Sequence, residues 1–306
     1  MDLRALVGPL RGDVVSGAAV IGRTASDVVG RAVRRIPVGD AGELREMLVD
    51  LSVRILDAQP AMAPLVSLTS AVLTSFEPDE PLEDARSRVL EAAAAFKDDL
   101  ESSVGEVARA ARPFLPPGGR ILTLSSSSTV RKTLLLHGEE LNLRACCLEG
   151  RPLCEGKHVA RELARAGIPV TYAVDAAAAS LLPLCDLVLL GADSVGDDGI
   201  VNKIGSLALA ALASELAVPL YVLVDRTKLL PPGFPQDVRD RRPEEEVWKP
   251  PHGVKVWNRY FECIPLDVVH GLVTEEGVLS SENLERIRSR TPVPPELREW
   301  AEAAAT

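Results

Sequence analysis

Residues 191–205, Gly-Ala-Asp-Ser-Val-Gly-Asp-Asp-Gly-Ile-Val-Asn-Lys-Ile-Gly, decide the fold. A short apolar run, Asp186–Leu190, precedes them and reads as a buried strand. A helix-patterned segment, Ser206–Glu215, follows, and then a second strand run, Pro219–Val224. A glycine-punctuated loop thus falls at the carboxyl end of a strand inside a βαβ unit, where open α/β sheets bind ligands. The loop carries one acid (Asp193), one amide (Asn202) and one ammonium (Lys203). A polar loop running into a helix N-terminus offers N–H groups and a favourable dipole to an anion. The residues therefore point to a phosphorylated ligand, with Asp193 as candidate acid or base. The competing reading is an ordinary βα turn with solvated charges.

Outward from this unit the same rhythm continues. Apolar runs at 120–124, 143–148, 169–173, 186–190, 219–224 and 254–257 alternate with helical stretches. Starts roughly 17–35 residues apart are the spacing of βα units and a mostly parallel sheet. The segment 230–252 is rich in proline and charge and reads as a surface loop or flap. Upstream the pattern is helical. Val14–Arg34 carries small and apolar positions, and Asp40 with Glu43 forms a capping-box-like start for a helix over 41–58. From Leu82 to Ala111 apolar residues recur every three or four positions. Pro116-Pro117-Gly118-Gly119 then breaks the chain. The expectation is a helical N-terminal domain over 1–115 and a Rossmann-like α/β domain over 116–306.

Composition narrows the function. At 306 residues and 46% hydrophobic content the chain can bury a large core. A net charge of −10 gives no general attraction to nucleic acid or anionic membrane. The five cysteines, an odd number, include no pair at zinc-ligand spacing, and the four histidines are scattered. No metal or cofactor is expected, and the histidines, tryptophans and tyrosines read as structural. The N-terminus lacks a secretory h-region, so a reduced, cytoplasmic protein is expected. Ile204–Val224 is apolar enough to suggest a membrane span, but Glu215 and Pro219 interrupt it, and a buried helix–strand unit fits better.

Three further groups end strands. Ser125, Ser126, Ser127 and Ser128 follow the run Ile121–Leu124. Hydroxyls between a strand and a helix N-terminus suit a phosphate, and they equally suit a plain N-cap. No Gly-x-Ser-x-Gly elbow makes one of them a nucleophile. Arg151, in Glu149-Gly150-Arg151-Pro152, could clamp a phosphate or lie on the surface. Asp175 is expected to cap the helix after the third strand.

Several of these segments together resemble one family: the α, β and δ subunits of translation initiation factor 2B with methylthioribose-1-phosphate isomerase and ribose-1,5-bisphosphate isomerase. The matching segments are Gly-Ala-Asp…Asn-Lys-Ile-Gly, Glu149–Ala164, Gly167–Thr171, Phe261-Glu262 and Thr274–Leu279, and they cover most of the C-terminal part. Ser16-Gly17-Ala18 stands where the isomerases carry Arg-Gly-Ala. The resemblance implies a sugar-phosphate site holding Arg151, Asn202 and Lys203. It also implies acid/base catalysis by the aspartate of Gly-Ala-Asp, here Asp193, and by a cysteine after the first strand of the α/β domain. Ser125 stands at that cysteine's position. A thiol, with a reference pKa of ~8.5, ionises far more readily than a hydroxyl. The resemblance further implies a homodimer or higher homo-oligomer paired through Val254–Val278. The expectation is a protein that binds a sugar phosphate or nucleotide between its two parts without isomerase chemistry. The alternative is an aldose–ketose isomerase of a 1-phosphorylated pentose with an altered acid/base pair, in which Cys154 could replace the missing thiol. A structural subunit with a vestigial pocket is the third reading.

Overall fold

The computed structural model describes residues 2–238 and 241–304. Five helices open the chain: α1 (Leu3–Gly12), α2 (Ala18–Arg35), α3 (Ala41–Ala58), α4 (Ala63–Leu73) and α5 (Leu82–Ala110). The helix-like pattern read from Val14 becomes helix only at Ala18. The chain bends before it at Asp13, whose carboxylate accepts the Val15 and Ser16 amides. The capping at α3 is as read: Asp40 accepts the Glu43 amide at 2.8 Å, and Glu43 reaches back to the Gly39 amide at 2.6 Å. Leu10, Ile21, Leu44, Leu48, Leu65, Leu68, Val89 and Leu100 are among the residues forming one buried helical core.

The α/β part follows in strict alternation: β1 (Arg120–Leu124), α6 (Ser128–His137), β2 (Arg144–Leu148), α7 (Gly156–Arg165), β3 (Val170–Ala173), α8 (Ala178–Leu181) and β4 (Leu187–Leu190). A hairpin of β5 (Ser194–Gly196) and β6 (Gly199–Lys203) comes next, then α9 (Ser206–Glu215) and β7 (Leu220–Leu223). The chain closes with β8 (Phe261–Ile264), β9 (Gly271–Thr274), β10 (Gly277–Leu279), α10 (Ser281–Arg290) and α11 (Pro295–Ala304). Seven strands form one sheet in the order β10-β9-β7-β4-β1-β2-β3, parallel except for β10. β5, β6 and β8 form a separate antiparallel sheet.

Alternation along the strands buries both faces of the large sheet. Ile121, Ala145, Cys147, Leu187 and Leu189 face Val107, Val130, Leu134, Val159 and Leu163. Leu122, Cys146, Val188, Leu190 and Val222 face Leu182, Leu209, Ala213 and Leu284. α5 serves both halves: Val89–Leu100 pack in the helical core, while Val107 packs against the sheet. α11 returns to the helices, with Leu297 and Ala301 buried among them and Trp300 Nε1 donating to Asp57 at 3.1 Å. No helix among the described residues is long and apolar enough to cross a membrane.

Two sequence expectations need correction. The run 254–257 is not a strand; Trp257 is 64% exposed, and the nearby strand is β8 at Phe261–Ile264. The 191–205 stretch is not a polar loop feeding a helix, because its glycines close a β-hairpin and place Asn202 and Lys203 on β6. Within Val254–Val278, Tyr260 is already buried inside the chain, its hydroxyl donating to Glu246 at 2.6 Å.

Candidate functional site

Strand order reverses at β1: β2 and β3 lie on one side of it, β4 and β7 on the other. The crevice outside the carboxyl ends of β1 and β4 is where such a sheet binds ligands. A cavity of about 610 Å³, its open mouth included, lies there. Its walls come from the turn before α2, the β1–α6 turn, the end of β4, β6, and the segment after β7.

Each wall has a local cause. After β1 the chain turns at Ser125, which adopts φ 64°, a left-handed conformation uncommon for a non-glycine residue. Such strain costs about 1–3 kcal/mol and clusters at functional sites. Ser126, Ser127 and Ser128 then line the cavity, and Ser127 caps α6 by accepting the Val130 amide at 3.3 Å. Gly191 lets β4 approach this turn, since a Cβ there would lie 2.4 Å from the Ser127 hydroxyl. Across the cavity Ser16, Gly17 and Ala18 begin α2. Two helix N-termini thus face one space, which favours an anion.

Asp193 follows β4. Its backbone is fixed on both sides, its N–H donating to Val201 O at 2.8 Å and its carbonyl accepting from Ala63 N at 3.1 Å. Only part of its surface faces the cavity. Burial pushes its carboxyl up to about 6, against the pull of Lys228, Lys203 and an N–H from Ala18. Lys203 is 4% exposed; its ammonium lies 2.6 Å from Glu155 Oε1 and 4.9 Å from the centre of the Tyr260 ring. Lys228 is also buried and sits 3.4 Å from Asp225, which accepts the Thr227 amide at 3.1 Å. Asn202 lines the cavity while its amide donates to Ser206 Oγ at 2.9 Å.

The structure therefore brings together Ser16, Gly17, Ala18, Ser125–Ser128, Asp193, Asn202 and Lys203. It leaves Arg151 outside. That side chain is exposed and donates to Val247 O at 3.0 Å. Asp175 is not a helix cap, because its two oxygens take the Gly150 and Arg151 amides at 2.8 and 2.7 Å, tying the β2 turn to the β3 turn. Cys154 does not line the cavity; its thiol faces Glu149 and Pro152 O. The amides that open α9, those of Gly205 and Leu207, are taken by Glu262 Oε1 at 2.7 and 2.8 Å. The anion-facing helix ends are those of α2 and α6 instead. Sequence reasoning missed Lys228, Glu155 and Tyr260. Lys228 had a signal, since it follows the 219–224 strand run as Asp193 follows 186–190. Among the described residues no cluster of three or more histidine, cysteine or acidic side chains is placed to hold a metal ion.

Residues 14–281 match the Initiation factor 2 subunit family. The chain belongs to that family. A methylthioribose-1-phosphate isomerase of Pelotomaculum thermopropionicum is 30% identical over 302 residues, covering 90% of this chain and 82% of the relative. A ribose 1,5-bisphosphate isomerase of Thermococcus kodakarensis is 26% identical over 281 residues, covering 87% of each. Among solved structures, the translation initiation factor eIF-2B of Pyrococcus horikoshii superposes with a TM-score of 0.79 at 25% identity, covering 90% of this chain and 96% of that one. The family's α/β fold, with a mostly parallel sheet after a helical region, is the fold of this chain.

Proposed function

We propose that the cavity binds a pentose phosphorylated at C1 and converts it from aldose to ketose. The observation that carries this reading is Asp193. It is a carboxyl pushed up to about 6, facing a space that two buried lysines and two helix N-termini prepare for a phosphate. A group with a pKa near the working pH can both give and take a proton at useful rates, a contribution of typically ~10²–10⁴ in rate. The ends of α2 and α6, with Lys203 and Lys228, answer the phosphate charge, and Asp193, lining the same cavity, is the candidate proton donor to the sugar. The isomerase relatives, matched over nearly the whole chain, favour chemistry over the expectation of binding alone.

One observation favours the second reading, a binding protein without turnover. Ser125 occupies the position at which the resemblance implies a catalytic cysteine. The assay is conversion of ribose 1,5-bisphosphate and methylthioribose 1-phosphate by the purified chain and by Asp193→Asn. Turnover lost in the variant supports the isomerase. Thermal stabilisation by either compound without turnover supports the binding protein. Neither effect refutes both. The assembly proposed is a homodimer or higher homo-oligomer, and a monomer by light scattering at micromolar concentration refutes that part.

A further inference from the structure

The reaction needs two proton carriers, and Ser125 is a poor second one. Glu155 lines the same cavity as Asp193 and Ser125, at the start of α7. Its side chain is 10% exposed. One carboxylate oxygen takes the Lys203 ammonium at 2.6 Å, while the other, Oε2, is buried and has no hydrogen-bond partner. An unpartnered buried carboxylate oxygen carries a desolvation penalty, so its position asks for a reason. Gly150 supplies a second observation. A Cβ at this residue would lie 2.9 Å from Ser125 Cβ and 3.1 Å from Glu155 Oε2, so the serine and the unpartnered carboxylate oxygen both close on this one glycine. Glu155 is also close enough to Asp193 that its charge raises the proton affinity of that carboxyl.

We infer that Glu155 is the second catalytic acid/base of this site, its free oxygen doing what Ser125 cannot. This rests on the isomerase reading. Asp193 gives its proton to the ring oxygen as the C1–O bond breaks, the bonding pair staying on oxygen. Hydrogen at C2 passes with its electron pair to C1. The C2 hydroxyl loses its proton to Glu155 Oε2 and becomes the carbonyl. One proton enters, one leaves, and the product is the isomeric ketose with its phosphate still on C1. Lys203, paired to the other oxygen of Glu155, holds its orientation. Asp193, Lys203 and Tyr260 are the charged or titratable groups facing it from β4, β6 and the segment before β8.

The test is steady-state kinetics of the full chain with ribose 1,5-bisphosphate and methylthioribose 1-phosphate. Glu155→Gln keeps the shape and should lower kcat by ~10²–10⁴ while leaving KM within a few-fold. Glu155→Asp keeps the charge beside Lys203 and draws the free oxygen back; it should retain the fold, with an intermediate rate. Wild-type kcat in Glu155→Gln, or a raised KM with kcat unchanged, overturns the inference while leaving the isomerase reading in place if Asp193→Asn is inactive. No turnover by the unmodified chain overturns both. If Glu155→Gln does not fold, a Glu155→Asp rate equal to wild type overturns the inference.

Discussion

Replacing Asp193 with asparagine should make the chain more stable at pH 8 while abolishing its chemistry. The carboxyl is displaced from its ordinary 3.8 to about 6, chiefly by burial. Between those two pH values the folded chain keeps a proton that the unfolded chain has released, so stability falls as pH rises and levels off above about 6. At ~1.4 kcal/mol per pKa unit, the ionised carboxylate costs the native state about 3 kcal/mol at pH 8. Its partial opening to the cavity makes this an upper value. Asparagine keeps an acceptor for the Ala18 amide and never ionises. With an unfolding entropy of about 2 cal/mol/K per residue, the gain corresponds to a rise in Tm of about 3–5 °C. Thermal melts of both chains from pH 4 to pH 8 measure it. The difference should be near zero at pH 4 and largest at pH 8. A variant no more stable than wild type at pH 8, or a gain independent of pH, refutes the argument that burial dominates this carboxyl.

Lys228→Met should weaken binding of ribose 1-phosphate by about 10–100-fold, the value of a hydrogen bond to a charged group; calorimetric titration showing unchanged affinity would exclude Lys228 from the phosphate site. Glu262→Ala removes the acceptor for the Gly205 and Leu207 amides and should cost about 1–2 kcal/mol. A shifted midpoint of chemical denaturation reads this, and an unshifted one means the cap is dispensable. Ser125→Cys introduced into the Glu155→Gln chain should recover part of the lost isomerase rate, because both side chains line the same cavity and lie against Gly150. No recovery in a folded double variant would show that the two positions serve different atoms of the substrate.

Local patterns made much of this legible. Asp193 could be read because the four apolar residues Leu187–Leu190 precede it and a helix and a second strand run follow. α5 was legible because a spacing of three to four residues over its 29 residues leaves no other reading. What escaped was set by contacts distant in sequence. The anion-binding expectation at α9 failed because Glu262, 57 residues from Gly205, occupies its amides. The alternation of Val254, Lys255, Val256 and Trp257 imitates a strand, yet Gly253 at φ 90° turns the chain before it and Trp257 lies on the surface. Glu155 is hidden in a charge-rich stretch whose helix presents most of its charges to solvent, and only the Lys203 contact, 48 residues on, separates it from them.

The charges around the cavity also fix what sort of ligand it can hold. Both ammonium groups already have carboxylate partners, Lys203 with Glu155 and Lys228 with Asp225, and Asp193 adds a third acid. Two cations facing three acids would repel a phosphate dianion if side chains alone counted. The ends of α2 and α6 supply the rest, each equivalent to roughly half a positive charge at the cavity wall. Even so, a dianion entering beside Asp193 must raise that carboxyl's hold on its proton beyond the present value near 6. Binding and protonation are therefore coupled, and the bound complex is the state in which Asp193 carries the proton that opening the sugar ring requires. The resting site, with its acid half-ionised near pH 6, becomes a proton donor through the arrival of the substrate's own phosphate.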